Sequence, residues 1–221
     1  AALSSELYGS ARALKAHIEA IAKGEADIIL GTQLVAKGHN FPLLTLVGVI
    51  DADLGLQGSD LRAAERTFQL MRQVSGRAGR SDKPGEALLQ TYQPEHPVIR
   101  SILSGDETGF LQTEATQRRD AGVPPFGRLA GIILSGPDLS QLFALGNALA
   151  RQDHPLRQIN AQVFGPAPAP IARVRGRHRV RLLVKAGKTA ALQPALATWI
   201  GQFKLKAQMR LAVDIDPQSF Y

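Results

Sequence analysis

The seven residues Leu44-Thr-Leu-Val-Gly-Val-Ile50 constrain the fold of this chain more than any other stretch. The run is apolar at nearly every position and shows no alternation with polar residues, so it predicts a short strand buried on both faces. Such strands belong to parallel sheets covered by helices, and each parallel neighbour is reached through a helix. The flanking sequence supplies those parts. Ser10 is an N-cap for a helix with Leu14, Ile18 and Ile21 at helical spacing and Gly24 as its stop, and Ala26-Asp-Ile-Ile-Leu30 reads as a second buried strand. Ala1 to Tyr8 has no clear pattern and reads as frayed. Asp60 is an N-cap for a helix through Ala63, Phe68 and Met71 to about Ser75, and Gly85 to Tyr92 is a further strand. Residues 1–93 are thus expected to form a parallel α/β unit, in which ligands sit at the carboxyl ends of the strands.

That edge carries the chemistry. Gly31-Thr-Gln-Leu-Val-Ala-Lys-Gly-His-Asn-Phe-Pro42 follows the first strand, Asp51-Ala-Asp53 the second, and the helix ends in Gln73-Val-Ser-Gly-Arg-Ala-Gly-Arg80. Arg77 and Arg80 stand about one helical turn apart, so their guanidinium forks can converge on a polyphosphate. Gln73 can hold an attacking water, and Gly76 and Gly79 let the backbone approach closely. The alternative is a basic helix end with a glycine cap. Thr32 and Lys37 are phosphate-contact candidates. Asp51 and Asp53 either hold a cation or cap the strand end and pair with a neighbouring arginine. Glu65-Arg66 reads as an ion pair between lobes.

Two further helices, Pro94–Ser104 and Asp106–Ala121, make residues 94–123 a connector, and Pro124-Pro125 marks a boundary. Residues 124–221 then read as strand, helix, strand, strand, helix, strand, a small α+β domain of β-α-β-β-α-β order with two helices on one face of a four-stranded sheet. Gly165-Pro-Ala-Pro-Ala-Pro170 is expected to be an extended, stiff loop. The net charge is +7, and between His154 and Val213 there are eleven Lys or Arg and no Asp or Glu. A basic block of this kind points to a polyanion, with nucleic acid foremost. On an extended chain Arg173, Arg175, Arg177, Arg179 and Arg181 share one face, interrupted by any turn at Gly176. Only 5% of residues are aromatic and none alternates with these arginines, which argues against base stacking and for backbone contacts without sequence preference. Trp199 reads as core. With no cysteine, no metal-ligand spacing among the histidines and no apolar run of membrane length, neither disulfides nor a metal site nor a membrane partner is expected, and the cytoplasm is the default compartment.

Residues 29–80 resemble motifs V and VI of the superfamily 2 helicases. Arg62-Ala-Ala-Glu-Arg-Thr-Phe-Gln-Leu70, with Pro124-Pro-Phe-Gly127, Gly165-Pro166 and Asp214-Ile-Asp-Pro217, is similar to one branch, the bacterial primosomal replication-restart DNA helicases. The resemblance implies that residues 1–93 are the distal part of a second RecA-like lobe, with Gln73, Arg77 and Arg80 catalytic. Gln73 would orient water, and one of the two arginines would be the arginine finger on the γ-phosphate. Gly38 and Asn40 would contact nucleotide, although many such motors carry Asp where Asn40 stands. Thr32 would bind the nucleic-acid strand. The family's carboxyl-terminal domain binds DNA near branch points, and its site for the acidic tail of single-stranded DNA-binding protein lies near Lys188 and Gln193. The intact enzyme would use ATP and Mg for 3′→5′ movement, hold zinc upstream of Ala1, and act with other primosome proteins on branched and single-stranded DNA at stalled forks. No phosphate loop occurs in the chain, so it is expected to be a carboxyl-terminal fragment, binding no cofactor and hydrolysing no ATP alone. An RNA-acting superfamily 2 motor and a non-catalytic nucleic-acid-binding adaptor with a helicase-like lobe are the competing readings.

Overall fold

Separate apolar cores divide the chain into two units, Ala1–Phe110 and Leu111–Tyr221. The computed structural model describes residues 1–3, 10–31, 41–57, 60–75 and 85–218.

In the first unit, β1 (Ala2–Leu3) pairs in parallel with β2 (Leu30–Gly31), with α1 (Ala11–Ala22) between them. The Ser10 hydroxyl accepts from the Ala13 amide at 3.2 Å, and Gly24 leaves the helix at φ 92°, so both ends form as their residues dictate. Likewise β3 (Leu46–Val49) pairs in parallel with β4 (Glu86–Leu89), with α2 (Ala63–Ser75) between. One core gathers Leu3, Ile21 and Phe41. Another gathers Ala52, Phe68, Met71 and Phe110 with Val98, Ile99 and Ile102 of α3 (Pro97–Ser104), and the Phe68 and Phe110 rings stack at 4.1 Å. The division between units falls within α4 (Glu107–Asp120).

Three expectations change here. Ala2–Leu3 is a paired strand with Leu3 only 1% exposed, rather than frayed chain, because two ladder partners and a core fix it. Of Ala26–Leu30, only Leu30 enters a ladder. The run Leu44–Ile50 is not buried on both faces: Leu46 is 52% and Ile50 78% exposed, while Val47 and Val49 are half-buried. Apolar composition buries a strand only where a layer covers each face, and among the described residues one face is covered.

The second unit runs β5 (Gly127–Gly136), α5 (Leu139–Arg151), a short α6 (His154–Arg157), β6 (Gln162–Val174), β7 (Arg177–Gly187), α7 (Leu192–Gly201) and β8 (Arg210–Ile215). The four strands form one antiparallel sheet in the order β6-β7-β5-β8, the split β-α-β arrangement that the element order predicts. Ala130, Ile132 and Leu134 of β5 and Val180, Leu182 and Val184 of β7 turn to one face, where Leu142 and Leu149 of α5 and Leu192, Leu196 and Trp199 of α7 cover them. Trp199 is fully buried, and its indole N–H donates to the Leu149 carbonyl at 3.1 Å, which satisfies the one polar atom it carries inward. Gly146 lets α5 lie close on β6, since a Cβ there would stand 2.7 Å from Pro166 Cβ.

The segment Gly165–Pro170 is part of β6 rather than a loop. It pairs through Ala167↔Arg181 and Pro168↔Val180, with register shifts on either side. Prolines at 166, 168 and 170 cannot donate backbone hydrogen bonds, and an outermost strand is where a sheet tolerates them.

Candidate nucleic-acid interface

Strand β6 returns into β7 through a two-residue turn in which Arg175 (φ 47°) and Gly176 (φ 78°) are both left-handed, as a tight hairpin requires. Beyond it the period of two sorts the arginines. Val180, Leu182 and Val184 point into the core, so Arg177, Arg179 and Arg181 point to the helix-free face of the sheet. Arg173 pairs with His178 and therefore lies on the opposite face, and Arg175 projects at the turn. The expected single stripe is three arginines in a row, one at the tip and one on the other side.

Their environments differ. Arg177 is half-buried, and its Nη2 donates to the carbonyls of Ser135 at 3.1 Å and Gln208 at 2.6 Å. It ties the end of β5 to the segment entering β8, and its buried Nε has no partner among the described residues. Arg179 makes one long contact to the Ile171 carbonyl, at 3.5 Å. Arg173 and Arg175 are exposed, and neither guanidinium bonds to the described residues. The register Arg179↔Ser135↔Arg210 adds a cation that sequence reasoning missed, because Arg210 reaches this face only through the pairing of β8 with β5. Toward the other end of the same face, Val123 packs on Leu129 and Leu183, and Lys185 Nζ donates to the Ala121 carbonyl at 2.9 Å. The open part of the face is therefore the arginine end. Lys188 lies just beyond β7 and Gln193 in the first turn of α7, and both are exposed.

In the first unit, Gln73 is exposed near the end of α2, while Thr32, Lys37, Gly38, Asn40, Arg77 and Arg80 lie outside the described residues. Asp51 and Asp53 are structural groups. Asp51 (φ 54°) caps a 3-10 turn, Ala52–Leu56, by accepting from the Leu54 amide at 3.2 Å. Asp53 is buried and accepts from the Thr91 hydroxyl at 2.6 Å and the Tyr92 amide at 2.7 Å, so its partners are not the expected arginine. Those two hydrogen bonds, with the nearby His96, hold its carboxyl below the ordinary value against the opposing effect of burial. Arg66 pairs with Asp60 of its own unit at 2.6 Å. Among the described residues no group of three or more His, Cys, Asp or Glu is placed to hold a metal ion, and no helix is long and apolar enough to cross a membrane.

Residues 119–218, which include the whole arginine hairpin and its sheet, match the family model for the primosomal protein N C-terminal domain. The chain is 44% identical over 197 residues to the replication restart protein PriA of Rickettsia felis, which covers 89% of this chain and 30% of that protein. It is 36% identical over 203 residues to the Bacillus subtilis protein of the same name (90% of this chain, 25% of that one) and 37% over 207 residues to the Haemophilus influenzae one (93% and 28%). The chain thus spans about 30% or less of the length of these relatives, and the similarity runs through both units. It belongs to the replication restart protein family.

Proposed function

We propose that this chain is the carboxyl-terminal part of an ATP-dependent 3′→5′ DNA helicase that engages branched DNA at stalled forks and prepares them for primosome assembly. Residues 1–93 would be the distal part of a second RecA-like lobe, and the second unit a DNA-binding domain. The parallel strand pairs joined through helices in the first unit support the lobe reading, as does Asp51-Ala-Asp53 at the carboxyl end of β3. Gln73, Arg77 and Arg80 would meet the γ-phosphate, Gly38 and Asn40 the nucleotide, and Thr32 and Lys37 the DNA strand. The ATP and Mg supply the hydrolysis that drives movement, and the arginines would neutralise the charge that develops on the transferred phosphoryl group. By the resemblance, zinc would be held in the part of the intact protein that precedes Ala1. Lys188 and Gln193 would receive the acidic tail of single-stranded DNA-binding protein.

The observation that carries the DNA reading is the hairpin with Arg175 at its tip and Arg179 and Arg181 on the helix-free face. Arg179 and Arg181 two residues apart on one face, with Arg175 at the turn beyond them, match a phosphate backbone and carry no base-reading geometry, which suits a protein that selects branch shape over sequence. The test is binding of the chain to forked, duplex and single-stranded DNA across a salt series. Fork preference with a steep salt slope supports the reading, and equal weak binding to all three removes branch recognition from this unit. DNA-stimulated ATP turnover by the chain alone would refute the division of motor residues between this part and the rest.

A further inference from the structure

We infer, building on the DNA reading above, that Phe164 is a stacking platform for one unpaired base of a DNA strand whose phosphates lie on the arginines of β7. Phe164 pairs with Leu183 across β6 and β7, and Leu183 alternates with the core residues Leu182 and Val184. The Phe164 ring therefore stands on the helix-free face, while its neighbour Val163 packs into the core under the helices. The ring is 47% exposed. Arg181, two residues before Leu183, is its diagonal neighbour at about 7–8 Å, and Arg179 follows on the same face. The aromatic and the cations meet only through the β6–β7 register, so no alternation along the chain announces them.

The residue after the ring fixes its place. A Cβ on Gly165 (φ 99°) would stand 2.8 Å from the Arg181 carbonyl oxygen, so β6 presses on the backbone of Arg181 at the point where it presents Phe164. Inside a duplex both π faces of a base are covered by its stacked neighbours, and only an unpaired base can lie on such a ring. Stacking accepts any base, which agrees with contacts that carry no sequence preference. The guanidinium forks of Arg181 and Arg179 then offer charge-assisted hydrogen bonds to the phosphates of the same strand. One row across the face runs Phe164, Leu183, Gly131, Asp214, which places the Asp214 carboxylate three strand spacings from the ring, about 14 Å. Its charge repels phosphate and keeps the strand on the β6–β7 side. The subsite thus separates the unpaired arm of a fork from its duplex arm, a distinction the arginines alone do not make.

Trp199 is the only tryptophan of the chain and is fully buried, so Phe164→Trp adds an exposed indole that reports on stacking. With residues 1–221, a single-stranded oligodeoxythymidylate should quench the fluorescence that Phe164→Trp adds, a duplex of the same length should not, and the affinity for the single strand should be kept. Phe164→Leu preserves an apolar cover over Leu183 and removes the ring. It should weaken single-strand binding by about tenfold, with duplex binding, the salt slope and the urea midpoint unchanged, since no phosphate contact is lost. Arg179→Ala should instead weaken both and lower the single-strand salt slope by about 0.7. A Phe164→Leu chain that binds single strands as tightly as the unsubstituted chain, or that loses single-strand and duplex binding equally, overturns the platform and leaves the DNA reading standing. An unsubstituted chain that binds neither overturns both.

Discussion

Arg177 and Arg175 stand two residues apart and do opposite things. The guanidinium of Arg177 holds two backbone carbonyls, and its removal leaves both without their donor. Arg177→Ala should therefore destabilise the second unit by about 1–3 kcal/mol, read by urea unfolding, and any loss of DNA binding in that variant is a folding effect. Arg175 occupies a left-handed position that costs a non-glycine residue about 1 kcal/mol. Arg175→Asn should keep or raise stability while lowering DNA affinity and reducing the salt slope by about one. That both arginines lie on a basic extended segment was legible from the sequence. Which one is tied inward was not, because the tie depends on Gln208, far along the chain. The acidic residues give a pH prediction. Asp138 caps α5 and accepts from the Ser140 hydroxyl, the Gln141 amide and the Gln141 side chain, which lowers its carboxyl from 3.8 to about 2. A lowered folded value means that the stabilisation is present above the ordinary carboxylate value and is lost as pH falls through the folded one. Asp138→Ala should thus melt below the unsubstituted chain at neutral pH, with the gap closing as the titration goes from about pH 4 toward about pH 2.

At the scale of elements, close backbone approaches set where helices and strands meet. A Cβ on Gly127 would run into the Gly122 carbonyl oxygen, at the point where the chain enters β5. Gly127→Ala should cost about 1–3 kcal/mol, measured by thermal or urea unfolding, since backbone rather than a flexible side chain must move. Gly201 closes α7 with nothing within 4 Å of an added Cβ and without positive φ, so Gly201→Ala should be neutral or stabilising by up to about 1 kcal/mol. Helices were legible because caps are local: Ser10 caps the helix the sequence gives it, while Asp60 accepts from the Arg62 amide in the turn that leads into the helix beginning at Ala63. Strands were less so. The Leu44–Ile50 run announced a strand correctly, but its burial is a property of its neighbours. The Gly165–Pro170 segment looked like a loop because proline opposes a central strand, yet that argument says nothing against an outermost one.

At the scale of the whole chain, the β-α-β-β-α-β order follows from element types alone, and right-handed crossovers with short connections leave few ways to arrange it. The register between strands is a different kind of information. It brings Arg210 beside Ser135 and Arg179, and no local pattern encodes it. The motif residues that the resemblance picks out on either side of Gln73 lie outside the described residues. The prolines of β6 bear on the size any assembly of this protein can reach. A sheet that offers partners at both borders can add copies without end and grow into a filament. Here the β6 border has no backbone donor at three positions, so a strand added there would find a broken ladder. The prolines that shape the hairpin would therefore also guard a strongly basic protein against edge-to-edge aggregation from that side of the sheet.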